Sequence, residues 1–150
     1  MQISFTRVLA HSFQCLPYTD YVMLCIKGMD LKLASFISGV TELNNERARE
    51  FARYIRDNYK NIQLSIRWVL LKDMTDTDEE IEALASFVKQ LRPVFTHVEL
   101  LPYHTLGKEK YVAMNTIYPM EGMEPYDYDD ALKVQDRLFS LGVPVTLAEH

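Results

Sequence analysis

The chain is predicted to be an α/β domain on a parallel sheet. It reads as a partial (β/α) barrel fragment with about three parallel strands, flanking helices and a short C-terminal strand. Three observations predict this. Strand-type runs at Tyr21–Lys27, Gln63–Leu71 and His97–Leu101 alternate with segments of helical period. Each run carries one strongly apolar face. The third opens after Pro102 into a polar, cationic loop, as strands do where a parallel sheet presents its ligand-facing edge.

With 150 residues, 48% hydrophobic and 25% charged, the chain fits a single domain, 1–150, that can bury a real core. The net charge of −5 is spread along the chain, which argues against nucleic acid as the partner. No apolar stretch is long enough to span a bilayer, so no membrane partner is expected. The start, MQISFTRVLAHSF, lacks a secretory signal, and a cytoplasmic location is expected. The two cysteines, Cys15 and Cys25, have no CxxC companion. They are read as reduced, buried thiols rather than a disulfide or a zinc site, so no metal ligand is assigned.

Residues 1–16 are an atypical N-terminal segment, where Val8, Leu9 and Phe13 could line one side of a short helix that Pro17 ends. In the first strand, Val22, Leu24 and Ile26 form an aliphatic face, while Tyr21, Met23, Cys25 and Lys27 form a mixed one. Asn44 and Asn45 are expected caps for a helix to about Asn58. Ala48, Phe51, Ala52, Ile55 and Tyr59 line its apolar stripe, with Arg47, Arg53 and Arg56 facing away. The second strand sets Leu64, Ile66, Trp68 and Leu70 against Ser65, Arg67 and Val69. Thr77 and Glu80 make a capping box for a helix that buries Ile81, Leu84, Ala85, Val88 and Leu91 before Pro93. In the third strand, Val98 and Leu100 face one way and Glu99 and Leu101 the other. A last helix runs from about Asp127 to Leu141 and stops at Gly142, before a short strand at Val143–Leu147.

An arginine in mid-strand is costly to bury unless it is paired or reaches a ligand. Arg67 is therefore expected to meet Glu99 on the inner face. Lys27, Arg67, His104, Lys108 and Lys110 fall on inner faces or at strand ends, where converging cations suit an anionic or zwitterionic ligand such as a carboxylate. Each also has a structural alternative: Lys27, Lys108 and Lys110 as solvated surface groups, Arg67 satisfied by Glu99 alone, and His104 tying down its own turn.

The runs YVMLCIK, IRWVLLKDMTDTDEEI, VELLPYHTLGKEKYVAM and EPYDYDDALKVQDRLFSLGVPV resemble the pyruvate formate-lyase activating enzymes, radical SAM proteins that activate glycyl-radical enzymes. The third run, close to the family's LPYHxLGxxKY segment, is the most specific. The resemblance implies the C-terminal half of a six-stranded (β/α) partial barrel that holds S-adenosylmethionine and a [4Fe-4S] cluster. It implies an oxidoreductase whose deoxyadenosyl radical abstracts hydrogen from a glycine of a pyruvate formate-lyase-like partner. By position, Lys27 and His104 are similar to residues that contact S-adenosylmethionine. Met23 is similar to a residue whose backbone carbonyl ligates a cation beside the methionine carboxylate, and Arg67 to a lumen arginine near the cofactor and the incoming peptide.

Two departures stand out. The family's Asp-x-Lys at the end of the first strand is replaced here by Cys25 and Lys27. The CxxxCxxC cluster loop and the glycine-rich GGE segment are absent, so the resemblance assigns this chain no catalytic residue. Neither cofactor is expected to bind stably to it, and it should be inactive alone. The alternative is a non-catalytic half-barrel binding module derived from such an enzyme. On either reading, self-association through an exposed sheet edge is expected.

Overall fold

Period-two patterning organises the molecule around its two longest strands. In the computed structural model, which describes residues 14–118 and 120–148, β2 (Gln63–Leu70) and β3 (Phe95–Pro102) form the centre of a four-stranded sheet. β1 (Tyr21–Ile26) and the short β4 (Val145–Leu147) flank them, in the order β1-β2-β3-β4. Every neighbouring pair is parallel. The expected fold class is therefore met, with a fourth strand where a short terminal one was predicted.

Parallel strands in sequential order, joined by crossovers of one hand, place all crossing helices on one face. On that face Leu64, Ile66, Trp68 and Leu70 of β2 and Val98 and Leu100 of β3 are fully buried. They pack in one core with Ala52 and Ile55 of α2 (Glu42–Asn58), Leu84 and Val88 of α3 (Asp78–Gln90), and Ala131 and Leu138 of α5 (Tyr128–Ser140). The strand faces are divided as the alternation predicts. On the opposite face Tyr21, Met23 and Cys25 of β1 are exposed.

Two helices lie outside the predicted pattern. α1 (Leu31–Ser38) follows β1 directly, with Asp30 as its N-cap and Gly39 in the left-handed conformation at its C-cap. α4 (Lys108–Ala113) is a short helix within the long loop after β3. The cap of α2 is Thr41 rather than Asn44 or Asn45, which lie inside the helix; Asn45 donates to the Thr41 carbonyl at 3.2 Å. An N-cap needs extended backbone, and Thr41 has it, at φ −64° and ψ 156°. The capping box of α3 is half present. Thr77 accepts from the Glu80 N–H, but the Glu80 carboxylate bonds elsewhere.

The last helix caps on Asp127 and ends before Gly142, which takes a positive φ of 76°. The helical reading of Val8, Leu9 and Phe13 lies outside the described residues, while Pro17 sits in a 3-10 turn, Leu16–Tyr18. Both cysteines are free, but they are exposed, not buried as expected. Cys25 falls on the face of β1 opposite the buried Ile26.

Candidate functional site

The parallel register draws a line of side chains across the exposed face. Cys25 on β1 stands opposite Arg67 on β2, Arg67 opposite Glu99 on β3, and Glu99 opposite Thr146 on β4. The Arg67 Nε donates to Glu99 Oε2 at 2.7 Å, the pairing the sequence predicts. Both side chains keep about a third of their surface in solvent, 36% and 28%. A pair this wet is held without the full desolvation penalty of a buried one. Among the described residues the Nη groups of Arg67 donate to no second partner, so the outer edge of the guanidinium keeps its capacity for a carboxylate.

Lys27 follows the last residue of β1 by one position and is half-buried. Among the described residues it forms no ion pair. The loop that follows it is tightly held. The Glu80 carboxylate accepts the N–H groups of Met29 and Asp30 at 2.6 and 2.7 Å, and Arg49 Nη2 donates to the carbonyls of Gly28 and Met29 at 3.0 and 2.7 Å.

His104 lies two residues beyond β3 and caps the 3-10 turn Thr105–Gly107, its Nδ1 accepting the Leu106 N–H at 3.3 Å. The imidazole is exposed. Met23 is exposed in mid-β1, in register with Ser65. Lys108 pairs with Glu121, and Lys110 is exposed on α4. The structure thus joins Arg67, Glu99 and Cys25 in one row. Lys27 and His104 are set on separate loops at the carboxyl end of the same sheet.

The loops at that end are tied to one another. Tyr103 donates its backbone N–H to the Leu70 carbonyl, and its hydroxyl meets Tyr118 Oη at 2.6 Å. Burial, aided by that hydroxyl, pushes the Tyr103 phenol up to about 12. Tyr126 donates to Asp76 Oδ2 at 2.7 Å; burial first, and then the carboxylate, raise its pKa.

Arg49 and Glu80 escape a reading of the sequence. Arg49 follows Ala48 at the border of the apolar stripe, so helical spacing hints at its burial, but nothing local points to its acceptors. Glu80 looks fully used by its own capping box.

Among the described residues no three His, Cys, Asp or Glu side chains come together as metal ligands. Two exposed cysteines ten positions apart do not fit a cluster held by thiolates, and no step through one is derived. No described helix is long and apolar enough to cross a membrane.

No protein-family model matches the chain. It is 38% identical over 112 residues to the pyruvate formate-lyase 1-activating enzyme of Escherichia coli K12, covering 75% of this chain and 43% of that protein. It is 33% identical over 130 residues to the pyruvate formate-lyase-activating enzyme of Clostridium pasteurianum, covering 85% of this chain and 51% of that one. The chain thus spans about half the length of the curated relatives it matches.

Among solved structures, a domain of a pyruvate-formate lyase-activating enzyme from Bacteroides vulgatus superposes with a TM-score of 0.69 at 17% identity, over 91% of this chain and 72% of that one. A radical SAM methyltransferase from Sphaerobacter thermophilus superposes with a TM-score of 0.57 at 18% identity, over 89% and 37%. These two likenesses concern the fold. By its sequence, over three quarters or more of its own length in these comparisons, the chain is a relative of the pyruvate formate-lyase-activating enzymes.

Proposed function

We propose that this chain is the C-terminal half of a radical SAM activating enzyme, 1–150 forming one unit of a (β/α)6 partial barrel. In the complete enzyme, S-adenosylmethionine and a [4Fe-4S] cluster would generate a glycyl radical on a pyruvate formate-lyase-like partner. The carboxyl end of the sheet would take the methionine end of the cofactor, with Lys27 and His104 in contact and the Met23 carbonyl beside it. Arg67 would face the incoming peptide. The observation that carries this reading is the 33% to 38% identity to activating enzymes over 75% to 85% of this chain. The open outer edge of the Arg67 guanidinium supports it.

A second reading, a non-catalytic half-barrel module, is favoured by one observation. The cysteines cannot supply a cluster site from within this chain. Anaerobic iron reconstitution followed by titration with S-adenosylmethionine tests both. The expected result is no cluster and weak cofactor binding; formation of a stable [4Fe-4S] centre would overturn the half-enzyme reading. The DNA upstream of Met1 separates the two readings. An in-frame extension encoding CxxxCxxC makes the chain an enzyme's remainder, and its absence favours the module.

A further inference from the structure

The turn after β1 is held by two buried charges of opposite sign that reach it from different helices. Glu80, 7% exposed in the first turn of α3, takes both N–H groups of Met29 and Asp30. Arg49, 9% exposed on α2, donates twice to the carbonyls of Gly28 and Met29. Asp30 is fixed from a third helix, since its carboxylate accepts the Leu33 N–H at 2.8 Å to cap α1. Packing tightens the same turn: a Cβ at Gly28 would lie 3.1 Å from the Ala34 nitrogen.

Four backbone groups of three consecutive residues thus find partners outside strand and helix ladders, as buried backbone requires. Local turn chemistry alone reverses a chain at far lower cost than two desolvated charges. Charge-assisted bonds from separate helices fix position as well as direction. The residue immediately before this clamp is Lys27.

We propose that Glu80 and Arg49 are positioning residues for Lys27, fixing the Gly28–Asp30 turn so that the ammonium is presented at the carboxyl edge of the sheet to the carboxylate of an amino-acid-like ligand. This rests on the ligand reading given above for Lys27. The clamp acts through the backbone and touches no ligand itself. It makes Lys27 a group held in place by the tertiary fold rather than a flexible surface cation.

The test compares the parent chain with Glu80→Gln, which keeps size but offers one acceptor oxygen for two N–H groups, and with Arg49→Lys. Amide exchange by NMR should show protection at Met29 and Asp30 falling on the order of tenfold or more, with Ile66 and Trp68 unchanged. S-adenosylmethionine, titrated at millimolar concentration against the Lys27 amide, should bind Glu80→Gln about tenfold more weakly. Adding Glu80→Gln to Lys27→Ala should cost nothing further, because the two act through one contact.

Unchanged protection at Met29 and Asp30, uniform loss across the sheet, or additive effects in the double variant would each overturn the positioning role. A Lys27 response that Glu80→Gln leaves intact overturns it too, while the ligand reading survives. No response of the parent's Lys27 amide overturns the ligand reading, and presentation of Lys27 falls with it.

Discussion

Arg67 and Glu99 are register partners on adjacent parallel strands, joined at 2.7 Å on the face of the sheet opposite the packed helices. Their geometry explains how an arginine sits in the middle of β2 at little cost. The carboxylate engages Nε, and among the described residues the Nη groups donate to no second partner.

The first prediction concerns that pair. With both side chains about one-third exposed, Arg67→Ala should cost about 1 kcal/mol or less, a Tm fall of roughly 2–4 °C. Urea unfolding followed by the fluorescence of Trp68, the only tryptophan in the chain, measures it. A loss of several kcal/mol would mark the pair as structural and remove the reason to look for a ligand there.

Thr75 is 1% exposed, and its hydroxyl donates to the Val69 carbonyl at 2.7 Å and accepts the Leu71 N–H at 2.8 Å. Thr75→Val leaves a buried N–H without its acceptor, so it should destabilise by about 1–3 kcal/mol, while Thr75→Ser stays close to the parent. Equal midpoints for Val and Ser in urea would show that the hydroxyl contributes nothing.

Much of this was legible in the sequence because it depends on period. Alternation in β2 and β3 placed Leu64, Ile66, Trp68 and Leu70 in the core, and set Arg67 and Glu99 together on the other face. The turn after β1 was not legible, because its partners come from residues about twenty and fifty positions away. Glu80 is the sharpest case. The Thr77-to-Glu80 spacing satisfied a local rule, yet the carboxylate bonds to Met29 and Asp30, a contact that exists only once β1 and α3 pack. The cysteines differ from expectation for another reason: composition favours burial of thiols, whereas parity, itself local, already set Cys25 on the mixed face, which is exposed.

The tyrosines at the carboxyl end of the sheet predict an alkaline dependence. Tyr103 is raised to about 12 and Tyr126 is raised as well, chiefly by burial. The folded state therefore holds phenolic protons that the unfolded chain gives up near pH 10. Their stabilising contribution is complete below about pH 10 and is lost as pH rises toward 12. Urea midpoints should fall between pH 9.5 and 11.5, roughly, and Tyr103→Phe should flatten that fall. A profile the substitution leaves unchanged would show that the fold does not depend on this proton.

The last prediction concerns the edge of the sheet at β1. In the strand order β1-β2-β3-β4, β1 pairs on one side with β2 and, among the described residues, is an outer strand. It contains no proline and no charged residue to discourage pairing, and Tyr21 and Met23 are 41% and 59% exposed. An outer strand of this kind offers a row of backbone donors and acceptors to any other strand. On the half-enzyme reading proposed above, the rest of the barrel would cover that row; the chain spans 43% to 51% of the two relatives compared above. Static light scattering should therefore show mass rising with concentration, and Met23→Lys should suppress the rise by placing a charge beside the edge. A clean monomer at high concentration would mean that the edge is already protected, and the half-barrel reading would lose its physical basis.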